Sequence, residues 1–152
     1  MGALQKLVFV LGPTCSGKTR LSVDLALALG GEVINIDSQQ VYRGFDVGTA
    51  KPTEAEKRGV PHHLFSAVDP GDNFDAASYV RLADEAIAGV VARGRIPVFA
   101  GGTLLYVRAL TQGLARIPEI PQDIRNSVRI EVAEGGCEKA HKRLESVDPG
   151  SA

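Results

Sequence analysis

The chain has 152 residues, 44% of them hydrophobic, which is enough for one domain with a buried core and a small addition. Its net charge of −1 excludes a broad basic field, so a nucleic acid would need a local patch. Two cysteines without metal spacing predict free thiols in a reducing compartment, and no apolar run is long enough to span a membrane. We therefore expect a soluble, cytoplasmic protein.

The first predicted element is a buried strand over residues 7–11, which leads into a glycine-containing loop and a helix over 18–29. The loop matches G-x-x-x-x-G-K-[ST], a pattern typical of phosphate binding. We expect its two glycines to let the backbone amides form an anion nest, aided by the dipole of the following helix. A chance match is the alternative, and the flanking strand and helix argue against it. The loop consists of Gly12, Pro13, Thr14, Cys15, Ser16, Gly17, Lys18 and Thr19.

Lys18 and Thr19 are the chemically distinct members of this loop. The Lys18 ammonium is a point charge for phosphate oxygens, and the Thr19 hydroxyl can ligate a phosphate-bound Mg²⁺. The motif by itself leaves open which phosphates are bound and which reaction follows.

A second strand is predicted over residues 32–36 and ends at Asp37. Ligands of open α/β sheets lie at the carboxyl ends of the strands, so Asp37 should lie near the phosphate loop as a carboxylate for chemistry. An equally good interpretation is that Asp37 caps the next turn.

An irregular functional loop is predicted over residues 41–51, followed by a short helix that Thr53 caps. His62 and His63 suggest a metal site only weakly, because neighbours in a strand point to opposite faces.

A long helix is predicted over residues 76–93, capped by Asp75, and a strand over 96–100 precedes Gly101, Gly102 and Thr103. This second junction of strand, glycines and helix can reach the edge of the phosphate loop, where Thr103 could contact substrate. A tight turn that needs glycine is the simpler explanation.

The character of the sequence changes at residue 113. A stiff linker is predicted over residues 117–121, followed by two helices over 122–134 and 137–146. Their basic residues, Arg125 among them, fit either a solvated face or a nucleic-acid contact. We divide the chain into an α/β core over 1–112 and a helical addition over 113–152.

Several motifs together resemble the bacterial tRNA dimethylallyltransferases. They are the phosphate loop, Asp37 to Gly44, Asp46 to Pro52, Gly59 to Leu64, Val68 to Pro70 and Pro97 to Tyr106. The resemblance implies a parallel sheet like that of P-loop NTPases, flanked by helices, with a helical tRNA-binding insertion that is cut short. Members of the family continue beyond the matching region for roughly the length of this chain again, so the resemblance covers their N-terminal part. Cys15 departs from the alanine that is frequent there, which we attribute to tolerance.

The implied activity is transfer of a dimethylallyl group from dimethylallyl diphosphate to N6 of adenine 37, beside the tRNA anticodon. The resemblance makes the phosphate loop the holder of the diphosphate leaving group with Mg²⁺, Asp37 the general base, and Thr103 a catalytic contact near the adenine. It makes Asp37, Ser38, Gln39, Gln40, Thr103 and Arg125 contacts to tRNA. We expect a monomer that binds the anticodon stem-loop. A small-molecule or nucleotide kinase and a non-catalytic diphosphate-binding fragment remain the alternatives.

Overall fold

The computed structural model describes residues 6–114 and 120–152. Within these ranges the chain forms two compact units that divide after Leu114. The first is an α/β unit, with strands β1 (Val8–Leu11), β2 (Gly31–Asn35), β3 (His62–His63) and β4 (Ile96–Gly101). Its helices are α1 (Lys18–Leu29), α2 (Glu54–Lys57), α3 (Ala76–Ala92) and α4 (Leu104–Gln112). The predicted elements are therefore present, with ends that differ by one or two residues.

The four strands form one parallel sheet in the order β1-β4-β2-β3. Strand β4 lies between β1 and β2, with Val98 opposite both Val8 and Val33. Because every strand runs the same way, the carboxyl ends of β1, β2 and β4 meet at one edge. This confirms the predicted fold class, a parallel sheet flanked by helices.

Alternating strand residues build a core on each face of the sheet. On one face, Val10, Val33 and Val98 pack with Val23 and Ala26 of α1. The opposite face carries a second cluster with α3 and α4, formed by Ile34, Ile36, Phe99, Tyr79, Ala83, Val90 and Tyr106. Both faces are covered, which explains the apolar runs of β1 and β4, whereas β2 also carries the buried polar residues Glu32 and Asn35.

Gly101 permits a close approach between the ends of β4 and β2. A Cβ atom at this position would lie 2.5 Å from the carbonyl carbon of Ile36 and 2.6 Å from its oxygen. A side chain at this position would therefore collide with the backbone at the end of β2. The glycine is not needed for a left-handed backbone conformation, because its φ is not in that region. The absence of a side chain brings the β4–α4 junction against the residues that precede Asp37.

The second unit contains the helical segment α5 (Gln122–Val147). Gly136 interrupts it with φ 78° and ψ 162°, so the predicted break at residues 135 and 136 is confirmed. An ion pair between Arg143 and Glu131 joins the two halves. The predicted stiff linker falls partly on residues 117–119, which lie outside the described residues.

Candidate functional site

A cavity of about 560 Å³ opens at the carboxyl edge of the sheet. The phosphate loop lines it from Thr14 to Thr19, and Asp37 borders it together with Gln39 and Gln40. Residues 48–50 of the irregular loop also contribute to its lining. The expectation that Asp37 lies near the phosphate loop is confirmed, since both face one cavity.

The backbone of the phosphate loop turns at Cys15 and Gly17, which have φ values of 62° and 82°. Gly17 also precedes α1, whose first turn carries no acidic side chain that would compete with an anion. The expectation that Gly12 shares in this curl is wrong, because its φ is not positive. A Cβ at Gly12 would instead lie 3.2 Å from Oγ of Ser16, so the position is tight because of a side chain inside the loop.

Lys18 is held by the loop to which it belongs. Its ammonium donates a 2.6 Å hydrogen bond to the carbonyl oxygen of Pro13. The side chain therefore spans the loop with its charge beside the cavity. An arriving phosphate can accept the other protons of the ammonium, because Lys has three donors.

Asp37 follows β2 and its carboxylate is bound to the turn after it. Its Oδ1 accepts hydrogen bonds from the backbone amides of Gln39 at 2.8 Å and Gln40 at 3.3 Å. The capping interpretation is therefore correct, and Asp37 also borders the cavity. The two interpretations are compatible because the turn engages one carboxylate oxygen and fixes the orientation of the group.

Thr103 joins the second glycine junction to this turn. Its Oγ1 accepts a 2.9 Å hydrogen bond from the backbone amide of Ser38. Neither residue is among those that line the cavity. The hydroxyl of Thr103 keeps its own proton to donate, because the bond to Ser38 uses an oxygen lone pair.

The wall formed by residues 48–50 is attached to the site by two side chains. Gln40 donates from Nε2 to the carbonyl oxygens of Thr49 at 2.8 Å and Ala50 at 3.2 Å. The ammonium of Lys51 lies 2.6–2.8 Å from the oxygens of Tyr42, Asp46 and Ser66, and its side chain is 8% exposed. Sequence reasoning did not single out Lys51, because no local pattern marks a loop lysine as buried.

The adjacent histidines each have a protein partner. Nε2 of His63 lies 2.6 Å from Oε2 of the buried Glu32, and Nδ1 of His62 lies 2.8 Å from the carbonyl oxygen of Val60. Burial lowers the pKa of His62. Within residues 6–114 and 120–152, no three His, Cys, Asp or Glu side chains come together as a metal site.

Arg125 belongs to the second unit. Its Nε donates to the carbonyl oxygen of Ile120, with a separation of 3.4 Å. The side chain is exposed on α5, as are those of its neighbours. The side chain of Arg125 is therefore exposed within the second unit.

Comparison with known proteins agrees with the motifs. The model of the family described as IPP transferase matches residues 40–152, which is more than half of the chain. The chain belongs to the IPP transferase family. A tRNA dimethylallyltransferase of Anaeromyxobacter dehalogenans (strain 2CP-C) is 54% identical over 147 residues, and one of Geobacter metallireducens is 49% identical over 147 residues.

Solved structures of this family have the same fold. The full-length tRNA isopentenylpyrophosphate transferase of Bacillus halodurans aligns with a TM-score of 0.73 at 43% identity, covering 97% of this chain and 49% of that one. A eukaryotic dimethylallyltransferase acting on tRNA aligns with a TM-score of 0.80 at 28% identity, covering 96% of this chain and 36% of the other. The predicted family is confirmed.

The match covers only part of the length of these members of the IPP transferase family. The alignments to the Anaeromyxobacter and Geobacter relatives cover 97% of this chain but 49% and 48% of those proteins. The chain thus spans about half the length of the curated relatives it matches. The family model begins at Gln40 and extends through residue 152, so it includes residues 48–50 of the cavity wall and α5, whereas the phosphate loop and Asp37 precede it.

Proposed function

We propose that this chain forms the donor site of a tRNA dimethylallyltransferase, which transfers a dimethylallyl group from dimethylallyl diphosphate to N6 of adenine 37 in tRNA. The observation that carries the proposal is that Asp37 and the phosphate loop border one cavity. This arrangement supports a reaction in which Asp37 accepts a proton beside a loop that holds an anionic leaving group. Membership of the IPP transferase family supports the choice of donor and acceptor.

The diphosphate would bind at the phosphate loop, residues 12–19. Backbone amides at the start of α1 and the Lys18 ammonium favour a multiply charged anion. The negative charge on the diphosphate increases as the bond to the allyl group breaks. The same groups therefore stabilise the transition state more strongly than the bound donor, which is what acceleration requires.

In the reaction, N6 of the adenine attacks C1 of the dimethylallyl group. The C1–O bond breaks and its electron pair leaves with the diphosphate, while the N6 proton passes to the Asp37 carboxylate. The amides of Gln39 and Gln40 hold Oδ1 of Asp37, so we assign proton acceptance to Oδ2. Thr103, at the adjoining junction, would contact the adenine or the diphosphate.

A Mg²⁺ ion fits the donor set of this cavity. Magnesium in nucleotide and diphosphate sites is held by substrate phosphates, waters and one or two protein oxygens, so a cluster of three carboxylates is not needed. The Thr19 hydroxyl borders the cavity at the loop that would hold the diphosphate, and it would supply the protein ligand. When bound, the ion would neutralise charge on the leaving diphosphate.

The acceptor base has to leave the anticodon-loop stack to reach the cavity. We assign its contacts to Asp37, Ser38, Gln39, Gln40 and Thr103, and a contact with the tRNA backbone to Arg125. The described residues include no helix that combines the length and the apolar character that a membrane crossing requires.

We further propose a monomer that acts in the cytoplasm.

The test combines donor binding with transfer. The chain is incubated with dimethylallyl diphosphate, Mg²⁺ and an anticodon stem-loop that carries adenine at position 37, and diphosphate release and prenylated adenosine are quantified. We expect both products in equal amounts, and saturable donor binding by calorimetry. Binding and turnover of ATP with a small acceptor, with no binding of the prenyl donor, would instead establish a kinase and reject the proposal.

A further inference from the structure

The side chain of Asn35 is fully buried at the end of β2, two residues before Asp37. Its Oδ1 accepts the backbone N–H of Asp37 at 3.0 Å, and its Nδ2 donates to the carbonyl oxygen of Asp37, also at 3.0 Å. Nδ2 donates a further 3.0 Å bond to the carbonyl oxygen of Leu64. One amide group therefore binds both polar backbone groups of Asp37 and attaches them to a neighbouring segment.

These bonds occur where the pairing between strands ends. The last regular contacts of this region run from the Ile36 amide to Ala100 and from the Thr103 amide to the Ile36 carbonyl, at 3.0 and 3.2 Å. The next residue, Asp37, lies beyond this ladder, and the planar amide of Asn35 supplies one acceptor and one donor in its place. A buried backbone group left without such a partner costs free energy comparable to a lost hydrogen bond.

Further contacts surround Asn35. The hydroxyl of Tyr79 donates a buried 2.9 Å bond to the backbone carbonyl oxygen of Asn35, and its ring stacks on Tyr106 with centroids 4.1 Å apart. Leu64, which accepts the second Nδ2 bond, has a φ of 62° that is uncommon for a residue with a side chain. The side-chain amide of Asn35 thus connects Asp37 to Leu64, while the backbone of Asn35 is itself bonded to Tyr79.

We propose that Asn35 is a positioning residue, which holds the backbone of Asp37 so that its carboxylate faces the cavity. The bonds from Gln39 and Gln40 fix the carboxylate relative to its own turn, whereas Asn35 fixes that turn relative to the sheet. The catalytic part of the inference rests on the proposed function, in which Asp37 accepts the adenine proton. The positioning of Asp37 stands independently of it.

The first experiment measures amide hydrogen exchange in this chain by NMR. Asn35→Leu keeps a similar shape and removes all three bonds, so we expect exchange of the Gln39 amide to rise by about tenfold, because that amide is bonded to the Asp37 carboxylate. Asn35→Ser keeps an acceptor for the Asp37 amide and should give a smaller rise. The amide of Glu56, which is bonded to the Thr53 hydroxyl elsewhere in the unit, is the internal control and should not change.

Tyr79→Phe is the matched control for stability. It removes a buried hydrogen bond from the same strand end and leaves the Asn35 amide intact, so Gln39 exchange should stay within about twofold of wild type. Unchanged Gln39 exchange in Asn35→Leu, or an equal rise in Tyr79→Phe, would overturn the proposal. If Asn35→Leu does not fold, Asn35→Ser decides: raised Gln39 exchange with unchanged Glu56 exchange supports the role, and wild-type exchange rejects it.

The second experiment measures transfer, with kcat expressed per diphosphate site titrated by calorimetry. Misplacement of the base should lower kcat by about tenfold in Asn35→Leu and leave the KM for dimethylallyl diphosphate nearly unchanged. The serine variant should recover part of the loss, and Tyr79→Phe should show none of it. If wild type neither binds dimethylallyl diphosphate nor transfers its allyl group, the proposed function fails, while the exchange data still decide the role of Asn35.

Discussion

The hydroxyl oxygen of Thr103 accepts a 2.9 Å hydrogen bond from the backbone amide of Ser38, across 65 residues of sequence. This bond connects the start of α4 to the turn that contains Asp37. The Thr103 amide also donates to the carbonyl oxygen of Ile36, at 3.2 Å. The second glycine junction is thereby joined to the end of β2 and the turn after it, which makes the orientation of Asp37 dependent on residues distant in sequence.

Replacement of Thr103 by valine should weaken this edge. The change preserves shape but leaves the Ser38 amide without its acceptor, so we expect a loss of about 1–2 kcal/mol in the free energy of unfolding. Thr103→Ser keeps the oxygen and should lose less than half as much. Urea denaturation measures both variants, and equal stability of the two would show that the hydroxyl contributes nothing.

Removal of the Asp37 carboxylate should abolish most of the transfer activity. Asp37→Asn retains an oxygen for the amides of Gln39 and Gln40 but cannot act as a base, so we expect kcat to fall about 10²-fold or more with donor affinity preserved. Asp84→Asn, at an exposed position of α3, is the matched control and should retain full activity. A wild-type rate in Asp37→Asn would mean that another group accepts the proton.

Loss of the Lys18 charge should act on diphosphate binding. Lys18→Met removes the cation that spans the phosphate loop, and we expect the affinity for inorganic diphosphate to fall by about tenfold or more because a charge-assisted bond is lost. Calorimetry with inorganic diphosphate measures it. Lys139→Met, on the exposed surface of α5, should bind as wild type does, and equal binding by both variants would exclude Lys18 from the anion site.

Lys51 should stabilise the wall of the cavity. Its nearly buried ammonium meets three oxygens, and Lys51→Met would leave them without this donor at a cost of about 2–3 kcal/mol. Lys57→Met removes a lysine that pairs with the exposed Glu54, which should cost much less because water screens a surface ion pair. Thermal unfolding compares the two, and similar shifts in Tm would contradict the assigned role.

Glu32 should make stability depend on pH in the acid range. Its hydrogen bonds with Arg93, opposed by burial and aided by His63, lower the pKa from the usual 4.5 to about 2. A carboxyl whose pKa is lower in the folded state contributes stability above pH 4.5, and this contribution is lost as the pH falls toward 2. Glu32→Gln should therefore be less stable at pH 7 and lose less stability between pH 5 and pH 2. Parallel stability curves for wild type and variant would contradict this linkage.

Local signals predicted much of the α/β unit. The capping box at Thr53 and the cap at Asp75 were predicted from short-range patterns, and both are present in the structure. Strands β1 and β4 were recognisable because burial on both faces favours continuous apolar runs. The phosphate loop was recognisable because its motif consists of residues that are consecutive in the chain.

The sequence by itself determined these elements, the phosphate loop and the family, because each depends on spacing within a short segment or on a series of such segments. Only the tertiary structure decided the strand order, the confinement of Lys51, and the contacts of Asn35 and Glu32. Asn35 reaches Leu64 across 29 residues, and Glu32 reaches Arg93 across 61. Such partners are set by the approach of distant segments as the core packs, and no local pattern of residues encodes which polar groups that approach will bring together.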